Sequence, residues 1–380
     1  MNGMEVSPIA AAGVSPSEGQ RRPATGAAGQ SLYASLRSLY RLWQNPEQRR
    51  APFPLAHKLA SWRLGFHADS AAIYDLSRND PRDYVNEYMR KYRCSRINPC
   101  NEFFTHKLMW RSFMLNLGFP QAETVAVVAE GSVLMYPFDA ERRRYVSPAE
   151  FEHALLEDGG RFVVKPEGGE RGQGIFLVES ENGTLVRRRG HDTQPFRLSP
   201  AGKPRIVERM LVPHEFWRAL FPHSANTIRA LTLWIPGEDA PFLARAVQRV
   251  GTLETMPTDN FSGGGLGAPI DLDTGRLGRA LRHPGDGGRP PERFTHHPES
   301  GAQIEGAVLP HWERVRDTVL RAAASLPTNR YIGWDVFVDA AGTPVIVEAN
   351  GNTGLQMVQI ERGLLTDSRI RRFYQEVGVL

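Results

Sequence analysis

The sequence predicts an α+β protein: two units of mixed helix and antiparallel strand, preceded by a helical N-terminal segment. Three observations carry this reading. Apolar residues recur at helical spacing through the first hundred residues, with no alternation of strand and helix. After Asn101, short β-rich runs such as Phe162-Val-Val-Lys165 alternate irregularly with helical stretches. The last two β-runs flank Asp339-Ala-Ala-Gly342, a turn of the kind that joins antiparallel neighbours. A chain of 380 residues is long enough for two or three core-forming units.

In chain order, residues 1–30 are rich in Ala, Gly, Ser and Pro and read as a disordered tail. They lack the basic start and apolar core of a signal peptide, so a cytoplasmic protein is expected. Residues 31–104 form the helical segment. Leu32, Leu36, Leu39, Tyr40 and Trp43 keep helical spacing, Pro46 and Pro52 interrupt it, and further helices run through Ala71–Leu76 and Tyr84–Met89. Residues 105–208 form a first mixed unit: a helix over Phe104–Leu117, a strand over Thr124–Ala129, a helix from Ser147, then strands over Arg161–Pro166 and Gly174–Val178. Ser147-Pro-Ala-Glu150 has a capping residue, a proline in the first turn and a glutamate three on, and Gly159-Gly160 ends that helix. Pro204–Met210 closes the unit as a strand. Residues 209–380 form the second unit, with strands over Thr227–Trp234, Phe242–Val250, Tyr331–Val338 and Pro344–Glu348, and helices over Pro310–Leu326 and Ser368–Val377. Residues 251–300, dense in Gly, Pro, Asp and Thr, read as a loop-rich stretch, functional or disordered.

Composition excludes several classes. No run approaches the roughly 18 apolar residues of a membrane span, so no membrane partner is expected. The net charge is +4 and the basic residues are spread along the chain, which argues against a nucleic-acid stripe. Only five basic residues are lysines, Lys58, Lys91, Lys107, Lys165 and Lys203, against 41 arginines. Arginine replaces lysine easily on a solvated face but less easily where a compact charge meets a phosphate. Cys94 and Cys100 match no common zinc or redox spacing and read as inert thiols. His214 and His223 are candidate bases, although lone histidines are more often structural, and His296-His297 lies in a polar loop with no third ligand at helpful spacing for a metal.

Two constellations carry chemistry. In the first, a buried strand delivers Lys165 to a loop bearing Gly168, Gly169, Gly172 and Gly174, and a second strand follows. Glycines let backbone N–H groups approach an anion. No Gly-Lys-Ser/Thr enters a helix and a strand follows, so neither a Walker loop nor a dinucleotide fingerprint fits. In the second, Gly333-Trp334-Asp335 and Glu348-Ala-Asn350 lie on neighbouring strands, with Glu348 and Asn350 on one face. Three oxygen-bearing side chains can converge there, a donor set suited to a hard cation such as magnesium.

These constellations, in this order, resemble the ATP-grasp superfamily, whose fold is two α+β lobes clasping ATP. Val207-Glu208-Arg-Met210-Leu211-Val-Pro-His-Glu215 is similar to the hinge between the lobes, as in D-alanine–D-alanine ligase. The resemblance implies that Glu208 and the Leu211 backbone bind the adenine edge, that Met210 packs near the ring and that Glu215 takes the ribose hydroxyls. It also makes Lys107 and Lys165 the two ATP lysines, and Asp335, Glu348 and Asn350 the Mg2+ ligands. A further resemblance, to ligases that add glutamate to protein termini, covers Arg245-Ala-Val-Gln-Arg249 and Asp259-Asn260-Phe-Ser-Gly263-Gly264-Gly265. It implies that Arg245, Arg249 and Asn260 orient an acceptor carboxylate. Overall the chain is most similar to the sugar-transfer associated ATP-grasp group, through Asn226-Thr-Ile-Arg229, the Asp259-Asn260 loop and Gly333-Trp-Asp335. D-alanine–D-alanine ligase and its kin carry an arginine two residues before the metal aspartate. Here that position is Gly333, and Arg229 is the candidate replacement.

The expected activity is a carboxylate–amine ligase working through an acyl phosphate, with ATP and Mg2+, on small-molecule carboxylate and amine substrates of glycan or specialised-metabolite biosynthesis. A phosphotransferase acting on a hydroxyl and a non-catalytic nucleotide-binding protein are the alternatives. The helical N-terminal segment is a candidate cap for the ATP lobe or a candidate homodimer surface.

Overall fold

A computed structural model of the protein describes residues 27–129, 131–135, 144–168, 174–190, 192–199, 202–285 and 288–380. Helices α1 (Ala27–Trp43), α2 (Pro46–Arg50), α3 (Leu55–Arg63), α4 (Ala68–Ile73) and α5 (Glu87–Tyr92) form the N-terminal segment. Its first helix begins inside the stretch expected to be tail. Pro46 at the first turn of α2 and Pro54 before α3 mark the breaks, as proline allows. The segment is fixed by burial: Phe66, Ile73, Tyr74, Tyr84 and Val85 pack with Leu231, Leu233 and Tyr331 in one core.

Helix α6 (Lys107–Asn116) follows a 3-10 turn over Glu102–Thr105, and its Trp110 and Met114 pack with Trp334 and Val336. Then come β1 (Thr124–Ala129), β2 (Ser132–Met135), β3 (Arg144–Val146), α7 (Pro148–Asp158), β4 (Arg161–Pro166), β5 (Phe176–Glu181), β6 (Thr184–Arg189), β7 (Asp192–Pro195) and β8 (Arg205–Arg209). They make an eight-stranded antiparallel sheet ordered β3-β2-β1-β8-β4-β5-β6-β7. The capping box at Ser147 and Glu150 forms as expected, and Gly159 ends α7 in the left-handed region. Phe151 and Leu155 of α7 bury against Ala126, Phe162 and Val178 of that sheet.

The remainder holds α8 (Glu215–Leu220), β9 (Ile228–Leu233), β10 (Phe242–Val250), β11 (Leu266–Pro269), β12 (Ala280–Arg282), β13 (Glu292–Phe294), α9 (Trp312–Ala324), β14 (Tyr331–Val338), β15 (Pro344–Asn350) and α10 (Ser368–Glu376). Its seven-stranded antiparallel sheet is ordered β13-β12-β11-β10-β9-β14-β15. Both faces are covered. Trp217, Trp312, Val315 and Val319 pack on one, and the N-terminal helices with Ile370, Phe373 and Tyr374 of α10 on the other. This explains why β14 is buried along its whole length.

The structure corrects the reading of residues 251–300: β11, β12 and β13 extend the sheet within that loop-rich stretch. Strands of three or four residues between glycines and prolines are too short to show a period. Strand β5 starts at Phe176 rather than Gly174, whose φ of +77° does not fit a strand. Among the described residues no helix is long and apolar enough to cross a membrane.

Candidate functional site

Strand register assembles the core of the site. Asp335 on β14 stands opposite Glu348 on β15 and opposite Arg229 on β9, so three charged side chains form one row across three strands. Asn350 stands opposite Gly333, one step along on the same face. Arg249, on β10 beyond β9, reaches into the row from the side.

The row is an ion-pair network. Arg229 grips Asp335 with two bonds, Nε to Oδ1 at 2.6 Å and a terminal nitrogen to Oδ2 at 2.9 Å, and donates to Thr353 Oγ1 at 2.9 Å. Arg249 lies 3.0 Å from Asp335 Oδ2 and 2.6 Å from Asp259 Oδ1. The other Asp259 oxygen accepts from the Thr227 N–H and hydroxyl, both at 2.6 Å. Burial acts to raise the Asp335 carboxyl, but the two guanidiniums outweigh it and hold it below the usual carboxylate range. Glu348 goes the other way. Burial, then the charge of Asp335, push it up against the pull of Lys107 and the arginines.

The lysines complete the site. Lys165 near the end of β4 pairs with Glu208 of β8, Nζ to Oε2 at 2.6 Å. Lys107 opens α6, and burial pushes its ammonium down, with Glu348 opposing and Lys165 reinforcing the shift. Between the two sheets lies a cleft of about 1460 Å³, lined by Lys107, Lys165, Glu208, Met210, Leu211, Arg229, Arg249, Asn260, Asp335, Glu348 and Asn350. Past the carboxylates it continues to a polar wall of Gln48, His67, Asp69 and Glu87 from the N-terminal segment. The Met210 N–H is bonded to Arg161, but among the described residues neither the N–H nor the carbonyl of Leu211 has a backbone partner.

Four expected residues fall outside the cleft lining. Arg245 shares a face of β10 with Arg249 but sits four residues, about 13 Å, along the strand. It lies 3.6 Å from Asp367 at the start of α10 and is outside the cleft lining. Glu215 is the exposed first residue of α8 and is outside the cleft lining, although Arg218, one turn on along the same helix, lines it. Gly168 is exposed and outside the lining, and Gly169 and Gly172 lie outside the described residues. Gly174 has a positive φ and is also outside the lining; a Cβ added there would meet Pro166. His214 caps α8, and His297 is buried against Phe221. Two positioning residues were missed. Asp259 lay in a quoted motif, yet nothing in the sequence says that it holds Arg249. Thr353 follows Asn350 without any signal.

The donor set suits a hard divalent cation. Asp335 and Glu348 face each other in register, with the Asn350 amide beside them, and among the described residues the Glu348 carboxylate has no hydrogen bond or ion pair. A cation there would offset the repulsion that pushes Glu348 up. Among the described residues no third His, Cys, Asp or Glu joins the pair.

The chain resembles several solved structures. These include D-alanine–D-alanine ligase from Helicobacter pylori (12% identity, 74% of this chain and 63% of that one, TM-score 0.40). D-alanyl-alanine synthetase A from Vibrio cholerae O1 biovar eltor str. N16961 gives 10% identity over 73% and 64%, with a TM-score of 0.38. L-amino acid ligase from Bacillus licheniformis gives 12% over 67% and 42%, with a TM-score of 0.32. The chain therefore spans less than two thirds of each. No curated protein matches it. The sequence from residue 86 to residue 373, which contains both lysines, the hinge and the carboxylate row, matches the family described as sugar-transfer associated ATP-grasp, and the chain belongs to that family.

Proposed function

We propose that this protein is an ATP-dependent carboxylate–amine ligase that forms an amide or peptide bond. The observation that carries the reading is convergence: Lys107, Lys165, the Asp335–Glu348 pair and the unpartnered Leu211 backbone all meet in one cleft. ATP lies between the sheets in this reading. The free Leu211 N–H and carbonyl take the adenine edge, Met210 packs on the ring, and Glu208 accepts from the exocyclic amine. Glu215 lies outside the cleft lining, at the start of the helix whose Arg218 lines it. Lys107 and Lys165 steady the phosphates, and the depressed Lys107 ammonium regains charge stabilisation as the phosphates arrive. Asp335, Glu348 and Asn350 would hold Mg2+, which would offset charge on the nucleotide.

A carboxylate oxygen attacks the γ-phosphorus and ADP leaves. The amine nitrogen then attacks the acyl carbon, and phosphate departs as the amine loses a proton. The protein contributes position and charge. Arg229, fixed by Asp335 and Thr353, presents its guanidinium beside the carboxylate row and is the cation for the transferring group. Arg249 is held by Asp259 and Asp335 and serves the acceptor carboxylate with Asn260. Arg245 has no part in this scheme. The substrates come from glycan or specialised-metabolite biosynthesis, in keeping with the family's description.

The test is ADP release with paired carboxylates and amines. Turnover should need both, and Asp335→Asn or Glu348→Ala should lower it about 10²-fold or more while the circular dichroism spectrum is kept. Full turnover in both variants would remove the metal assignment. A phosphorylated product from a single hydroxyl acceptor would make the protein a phosphotransferase.

A further inference from the structure

Helix α1 keeps an apolar stripe on its outward side. Its inward side carries Ser38, which donates to the carbonyls of Trp62 and Arg63, and Leu42. Its outward side carries Leu36, Tyr40 and Trp43, at intervals of four and three residues that make one stripe, and these are 55%, 60% and 47% exposed. Leu64 is exposed next to the Ser38 contact, and Leu55 is exposed at the start of α3. Five of the twelve exposed large hydrophobic side chains among the described residues thus fall between residues 36 and 64.

The same segment is basic. Residues 34–66 hold six basic side chains against one acid, Glu47. Lys58 is buried on the Arg49 carbonyl and Arg50 lines the cleft, which leaves the exposed arginines of the face. Arg37 and Arg41 flank the apolar stripe and are exposed, and Arg63 is exposed beside Leu64.

We propose that this face docks on an anionic lipid surface, with Leu36, Tyr40 and Trp43 entering the headgroup boundary and Arg37, Arg41 and Arg63 on the lipid phosphates. A second copy of the chain would bring like charges together at the contact. A nucleic acid would pair with the arginines but leave the leucines in water. Only an anionic surface with an apolar layer beneath it answers both features. The chain needs no membrane-spanning segment for this, and the proposal is independent of the ATP reading.

The experiment is cosedimentation of the full-length protein with vesicles of phosphatidylcholine alone or mixed with phosphatidylglycerol. Binding is expected to the mixed vesicles only, and to fall about tenfold or more at high salt. Leu36→Ser with Tyr40→Ser, and separately Arg37→Glu with Arg63→Glu, should each weaken binding about tenfold, with thermal unfolding unchanged because these side chains are exposed. No binding to the anionic vesicles at low salt, or equal binding by the variants, overturns the proposal. Loss of a dimer in sedimentation velocity by the same variants, without vesicle binding, reassigns the face to a second copy.

Discussion

The position of Gly333 shows how a single residue sets the electrostatics of this site. A Cβ added there would lie 2.2 Å from Thr353 Oγ1 and 2.6 Å from its Cβ, so the strand has no room for a side chain. An arginine cannot occupy this position. The guanidinium comes instead from Arg229 on the next strand, and the buried Thr353 that fills the space over Gly333 is one of its two anchors. Gly333→Ala should therefore displace Thr353 and loosen Arg229, costing about 1–3 kcal/mol in urea unfolding and lowering ATP turnover. His297 makes a second residue-level prediction. Its Nε2 lies 2.8 Å from the Gly251 carbonyl, and its Nδ1 accepts from the backbone N–H groups of Glu299 and Ser300, so the fold uses the neutral ring. Burial holds its pKa below the ordinary value. The unfolded chain then binds the proton more tightly, and this contribution to stability is complete above about pH 6.5 and lost as pH falls. The urea midpoint should drop on acidification, and His297→Gln should flatten that dependence.

At the scale of elements, local signals are worth most where the chain is least packed. Helix α7 is capped by Ser147, whose Oγ accepts from the Glu150 N–H at 3.3 Å while Glu150 accepts from the Ser147 N–H at 2.8 Å. Ser147→Ala should cost about 1 kcal/mol, read by chemical denaturation, because the Glu150 N–H loses its acceptor while the Glu150 carboxylate keeps the N–H of residue 147. The hairpin of β14 and β15 behaves differently. Its flanks are buried on both faces, and its register with β9 places Arg229, Asp335 and Glu348 in one row. Moving the hairpin by one residue against β9 would turn Asp335 and Glu348 away from the cleft and take Arg229's partner from it.

At the scale of the molecule, the cleft lies between two antiparallel sheets joined by the Met210–Pro213 hinge, with the N-terminal helices closing its far side. A ligand that binds only the folded state should stabilise it. Mg-ATP at about 100 times its Kd should add about 2.7 kcal/mol, raising Tm by several degrees in differential scanning fluorimetry. ATP with a chelator should give a smaller shift, since Asp335 and Glu348 then repel the phosphates. An equal shift with and without divalent cation would detach the carboxylate row from nucleotide binding.

The sequence by itself determined the α+β class, the boundaries of β1, β4, β10 and β14, the capped helix α7 and the order of lysine, glycine loop, hinge and carboxylates. These rest on local chemistry: period, capping, turn residues and spacing. Tertiary structure alone decided what those residues touch. Arg245 and Arg249 are both arginines on one face of one strand, yet only Arg249 reaches Asp335, because α10 and its cap Asp367 close over Arg245. Asp259, Thr353 and the outward stripe of α1 were equally illegible. Which side chain meets which partner is fixed by strand register and by packing between segments up to hundreds of residues apart, and no local pattern encodes such distances.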